Sequence, residues 1–267
     1  MGIGFDWAGV LTGAPLVWLQ TGLITTLAVT LVASLLASVL AVALLALRLS
    51  GGKSAVALAV SVTELFRNTP VLVQIMVWYF AALPLLPADF RAWINDDHPW
   101  AALPGNVVLI SPEFLASAWG LGLFAAVFIA EEIRAGLQAV PPGQREAAIA
   151  QGFSNWAILR HILLPQAVAN AYQPVIGQYM NLMKLSSLAT AIGLAEITYQ
   201  VRQIESYNSH ALEAFAVGTA LYLLIGVIMG RGLLYFDPAK RSPARKAAAA
   251  SAVRSQPLLT PEVQDAL

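Results

Sequence analysis

From Thr21 to Leu47 the chain carries no charged residue, and a run of that length is hard to place anywhere but across a bilayer. A spanning helix needs about 20 apolar residues. Further apolar stretches follow at Ala57 to Leu83, Phe114 to Leu137, Gln166 to Met183 and Ala211 to Phe236. The expectation is an all-α integral membrane protein with five transmembrane helices. Only 11% of the 267 residues are charged and 58% are hydrophobic, far from the roughly one quarter charged of soluble domains. The absence of cysteine excludes disulfides, thiolate metal sites and thiol nucleophiles. No metal or cofactor site is expected.

Charge placement then gives orientation. Asp6 is the sole charge before Arg48, so the N-terminus lacks the basic region of a cleaved signal peptide and the first span is read as retained. With the N-terminus outside, the cytoplasmic segments hold Arg48, Lys53, Arg67, Arg134, Arg145, Arg160, Arg231, Lys240, Arg241, Arg245, Lys246 and Arg254. That is 12 of the 15 lysines and arginines, and the positive-inside rule favours this topology over its inverse. Three segments result: residues 1–20 outside (periplasmic), residues 21–236 in the membrane domain, and residues 237–267 as a basic cytoplasmic tail read as disordered. In the first span, Thr21, Thr25, Thr26 and Thr30 with small Ala and Ser residues suit close helix packing.

A polar island, EEIRAGLQAVPPGQREAAIAQGFSNWAILRHILLP, occupies residues 131–165. Pro141 and Pro142 end one helix and favour the first turn of another. Gly152 stands where a left-handed stop belongs, and Ser154 can cap a second short helix expected to end at Pro165. Two helices on a glycine elbow make a knob with an apolar back and a polar tip, suited to a groove on a partner. Glu131 and Arg134, three apart, can pair on one face, and so can Glu64 and Arg67 ahead of Pro70. The second pair reads either as part of a hinge, kinked by Pro70, or as a neutralised helix end.

Glu146-Ala147-Ala148, three residues, Gly152, nine residues, then Ile162-x-Leu164-Pro165 resembles the EAA loop of ABC importer permeases. The alternative for these residues is an ordinary amphipathic helical hairpin. AEEIRAGLQAV resembles the lead-in to that loop, with Glu132 as a departure. ELFRNTP, residues 64–70, is similar to a signature of the polar amino acid branch, with Asn68 where glycine is commoner. VQIMVWYF and the loop beginning LPLLPADFRAWI look most like glutamate/aspartate permeases. The resemblance covers roughly residues 20–236. It implies a type I, MetI-like permease fold and a non-catalytic transport subunit. Its partners would be ABC ATPase subunits, a second permease subunit (identical or homologous) and a periplasmic amino-acid-binding protein; no nucleic acid is expected. It assigns coupling to Glu146, Ala147, Ala148, Gly152, Ile162, Leu164 and Pro165, with Glu146 as a cap or ion-pair partner.

Two further stretches stay open. Lys184, Ser186 and Ser187 lie in an apolar segment too short to span and resemble the family's KxxSL stretch, with Leu185 where a polar residue is common. A lysine at membrane depth is a candidate for the substrate pathway, or else snorkels to the interface. The polar interruption from Leu83 to Pro112 reads as an external lid or as a contact for the binding protein, and Tyr199 to His210 as a second external loop. The triplet Gly52-Lys53-Ser54 mimics a P-loop ending, but Leu47 stands where the first glycine belongs and no strand precedes it. An ATP-independent secondary transporter or channel would show inverted repeats and intramembrane acids, and the sequence shows no repeat. A structural scaffold would not need the polar residues around Lys184.

Overall fold

The computed structural model describes residues 5–238. The basic tail from Lys240 onward lies outside these residues. A short helix α1 (Ala8–Leu11) leads into α2 (Gly13–Leu49), which begins earlier than the expected first span. Then come α3 (Lys53–Arg67), α4 (Val71–Val77), α5 (Ala88–Asn95), α6 (Pro112–Gln138), α7 (Pro142–Ala150), α8 (Asn155–Ile158), α9 (Leu164–Leu185), α10 (Ile197–Asn208) and α11 (Ala211–Tyr235). Strands β1 (Ala102–Leu103) and β2 (Val107–Val108) form a small antiparallel hairpin, the one exception to an all-helical fold among the described residues.

Three helices, α2, α6 and α11, are long and apolar enough to cross a membrane, or four spans if the bent pair Lys53–Arg67 and Val71–Leu85 counts as one. The expected fourth span corresponds to α9, a 22-residue helix too polar to meet the same test. Helix α6 is central. In its apolar window 67% of residues are buried, against 28% in α2 and 22% in α11.

Packing follows an inverted pattern. Helix α2 turns small residues inward, with Thr26, Ala33, Ala37 and Ala41 fully buried, and large ones outward, with Leu31, Leu35 and Val39 at least 60% exposed. Lipid is as apolar as leucine, so burial of large side chains gains little. Small residues instead let helix backbones approach closely. The most severe approach is Gly136 of α6 against α9, where a Cβ would lie 2.4 Å from the Ala167 carbonyl oxygen. Beside it the Asn170 amide donates to the Gly136 carbonyl at 3.1 Å.

At Pro70 the helix does not kink but turns by 104°. Proline supplies no N–H and keeps Thr69 out of the helical region, so the ladder stops at Arg67. The Gln74 amide bridges the break, donating to the Phe66 carbonyl at 2.8 Å and to the Thr69 carbonyl at 2.9 Å.

The two polar stretches read as loops are structured. Leu83 to Pro112 contains α5, the hairpin and two 3₁₀ turns. Tyr199 to His210 belongs mostly to α10, whose Ile197, Val201 and Ile204 are buried beneath a polar outer face. The alternation of polar and apolar residues there is helical, and the polar face alone drew the loop reading.

The candidate coupling knob and the polar contacts behind it

Helix α7 starts at Pro142 and ends in a Schellman arrangement. Gly152 is left-handed at φ +80°, its N–H bonds the Ile149 carbonyl at 2.9 Å, and the Phe153 N–H bonds the Ala148 carbonyl at 3.1 Å. Ser154 then caps α8, its hydroxyl accepting from the Ala157 N–H at 3.3 Å. The glycine elbow and the serine cap therefore sit where the sequence puts them. Pro165 does not end the second helix. Leu159–Leu163 widens into a π-turn, with the Leu164 N–H bonding Leu159 five residues back, and the chain runs on into α9. A wider turn accommodates the proline ring, which would otherwise meet the carbonyl one turn earlier.

Of the seven expected coupling residues, Ala148 alone is buried, at 3%, on the knob's inner face. Ile162 and Leu164 are half-buried in the π-turn and the start of α9; Glu146, Ala147, Gly152 and Pro165 are exposed. Glu146 neither caps nor pairs among the described residues. The tip is not simply polar: Ile149, Phe153 and Trp156 are 48%, 45% and 66% exposed. The apolar spacing of a short helix does not reveal which face lacks a partner.

Behind the knob, Glu131 binds Arg134 at 2.7 Å and also meets Arg48 from the end of α2 at 3.6 Å. Glu132, the departure from the family pattern, accepts from the Gln178 amide at 3.3 Å and so joins α6 to α9. Glu64 and Arg67 do not pair among the described residues; Glu64 instead accepts from Asn68 at 2.9 Å, one turn further on.

Lys184 is exposed at the end of α9 and forms no ion pair among the described residues. Ser186 is buried and bonds the Met183 carbonyl at 2.7 Å; Ser187 bonds the Lys184 carbonyl at 2.8 Å. Both hydroxyls close a helix end rather than converge with the lysine. Sequence reasoning missed the polar centre nearby. Glu196, fully buried, caps α10 by accepting from the Tyr199 N–H at 2.9 Å and also accepts from the Tyr222 hydroxyl of α11. Thr198 contacts the same hydroxyl at 3.2 Å, and Thr26 of α2 accepts the Ile197 N–H at 3.2 Å. Three helices meet on these groups. The signal was a lone acid after Gly193 in an apolar run.

The class of this broken-helix membrane fold, with its knob between two packed helices, follows from the known proteins it resembles. The family described as binding-protein-dependent transport system inner membrane component matches residues 33–242, and the chain belongs to it. The glutamate/aspartate import permease protein GltJ of Escherichia coli K12 is 33% identical over 235 residues, covering 86% of this chain and 92% of that protein. The glutamine transport system permease protein GlnP of the same strain is 32% identical, covering 84% and 93%. Among solved structures, an amino acid ABC transporter crystallised with histidines aligns with a TM-score of 0.72 at 26% identity, covering 88% of this chain and 99% of that one. The MetNI methionine ABC transporter shares the fold, with a TM-score of 0.61 over 84% of this chain and 99% of its own.

Proposed function

We propose that this chain is a membrane-spanning permease subunit of an ATP-driven importer of amino acids, and that the knob at residues 141–165 couples it to a separate ATPase. One observation carries the coupling reading: Ile149, Phe153 and Trp156 stand exposed at the tip of a knob whose two ends run into the clasped helices α6 and α9. An apolar tip docked on an ATPase would transmit closure of that partner to both helices as one body. The subunit works in a pair, identical or homologous, and receives its cargo from a periplasmic binding protein. It performs no bond chemistry. The arrangement has five spans in a bacterial inner membrane, with residues 1–20 outside and residues 237–267 cytoplasmic.

The cargo is glutamate or aspartate. ELFRN, VQIMVWYF and the loop from Leu83 support this, as does the similarity to GltJ along most of both chains. The test is ATP hydrolysis by the reconstituted complex of this subunit with its ATPase, partner permease and binding protein. Glutamate, aspartate, glutamine, arginine and histidine are added in turn. Stimulation by the acidic pair alone is expected. Stimulation by another amino acid overturns the cargo assignment, and a complex that assembles but responds to none overturns the importer reading.

A further inference from the structure

On the outer side of α6, the turn of chain from Trp78 to Leu86 stands away from α2 and leaves a groove of about 570 Å³. Its walls are almost wholly apolar and include Leu36, Trp78, Leu83, Ile94 and Trp119. Trp78 and Trp119 meet edge to face with ring centroids 5.9 Å apart, forming a rigid aromatic wall. Leu83 and Ile94 are also walls of a second, smaller cavity of about 210 Å³, lined by Tyr79, Arg91 and Asn95. The apolar slot therefore shares a wall with a smaller cup that carries the polar side chains Tyr79, Arg91 and Asn95.

The cup lies at a definite level. On helix α5, Phe90, at the groove wall, stacks on Trp93 at 5.6 Å with both rings partly exposed, and Trp100 in the same segment is 75% exposed, an aromatic set suited to the headgroup region. Thr21 of α2 bonds the hairpin at the Gly105 carbonyl, 3.1 Å away. Leu36, on the groove wall, lies about 20 Å further along the same helix. The slot thus descends from the interface into the hydrocarbon, whose full thickness is about 30 Å.

The charge in the cup decides the occupant. Arg91 has no carboxylate within 4.0 Å among the described residues, although Asp89, Asp96 and Asp97 share its loop. Glu113, at the start of α6, is engaged by the hydroxyl of Tyr79, which lines the same cup, at 2.8 Å. An unpaired guanidinium at headgroup level above an acyl-sized apolar slot is complementary to a phosphate with a hydrocarbon tail.

We propose that this groove holds one phospholipid, its phosphate on Arg91 and one acyl chain against Trp78 and Trp119. The proposal rests on the membrane-spanning fold and not on the identity of the cargo. The shared chemistry is the phosphodiester, so phosphatidylglycerol and phosphatidylethanolamine both qualify.

The test is native mass spectrometry of the intact transporter complex in detergent, titrated with dioleoyl phosphatidylglycerol, dioleoyl phosphatidylethanolamine and dioleoylglycerol. One phospholipid per copy of this subunit is expected to persist, with dioleoylglycerol lost at the same collision energy. Arg91→Ala lowers retention about tenfold, the loss of one charge-assisted contact, and Arg91→Lys restores part of it. Ala82→Trp, which fills the slot and leaves Arg91 in place, also removes the lipid. Equal retention of dioleoylglycerol, or unchanged retention in both the Arg91→Ala and Ala82→Trp complexes, overturns the site. So does a phospholipid-free complex in which Ala82→Trp separates the permease subunits, because a second chain then covers the groove.

Discussion

Gly136 of α6 and Ala167 of α9 touch backbone to backbone: a Cβ on Gly136 would lie 2.4 Å from the Ala167 carbonyl oxygen. This clasp sits just behind the knob, gripping both helices that leave it. A displacement at the tip cannot be absorbed by the two helices sliding apart without breaking the contact. Gly136→Val is expected to separate α6 from α9 at a cost of about 1–3 kcal/mol. Transport should fall sharply while the ATPase still co-purifies. Normal transport in this variant would show that the clasp carries no force.

Gly152 has open space where a Cβ would go, so its requirement is conformational, set by φ +80°. Asn and Asp both tolerate the left-handed region better than other residues. Gly152→Asn should keep most uptake. Gly152→Asp should insert normally and abolish it, because on the proposed coupling reading the added charge would sit on the face that meets the ATPase. Gly152→Val should lose about 1–2 kcal/mol from the elbow itself. Uptake assays with quantified membrane insertion separate the three; equal activity of the Asn and Asp variants would remove charge from the explanation.

Glu196 accepts from two donors, the Tyr199 N–H and the Tyr222 hydroxyl. Glu196→Ala leaves the Tyr199 N–H without its cap and takes the carboxylate from the Tyr222 hydroxyl, which keeps Thr198 beside it, a loss of about 1–3 kcal/mol read as a lower Tm in detergent. Glu196→Gln retains an acceptor and should lose about half as much. Identical Tm values for the two variants would mean that a neutral amide acceptor does not replace the carboxylate there.

The residues that punctuate the chain were the legible ones. Pro142, Gly152 and Ser154 act through local backbone chemistry, and each sits where that chemistry places it. Pro70 and Pro165 were legible as breaks but not in their outcome. One turns the helix by 104° with the Gln74 amide spanning the gap, and the other is absorbed by a π-turn. Both outcomes depend on what is packed alongside. Spacing of three residues suggested ion pairs at Glu64–Arg67 and Glu131–Arg134 alike. Only the second forms among the described residues, where Glu131 also meets Arg48 from α2, whereas Glu64 accepts from Asn68 instead. Helix α10 was hidden because its buried face is only four residues, Ile197, Gln200, Val201 and Ile204, among polar neighbours.

Arg134 approaches Glu131 through two nitrogens, Nε at 2.9 Å and Nη2 at 2.7 Å, whereas Arg48 lies at 3.6 Å. All three side chains are partly exposed, so the network is worth about 1 kcal/mol or less and is weakened by salt. Arg134→Ala should therefore lower Tm more than Arg48→Ala, with the gap narrowing in high salt. The reverse order would place the main contact on α2.

The central claim is that the exposed tip meets an ATPase in the cytoplasm. The chain has no cysteine, so Trp156→Cys places a single thiol at the tip. A benzophenone maleimide attached there and irradiated in membranes containing the whole complex should cross-link this subunit to a polypeptide that azido-ATP also labels. Absence of that product, with the thiol instead modified from outside intact cells by a membrane-impermeant maleimide, would contradict both the docking and the topology.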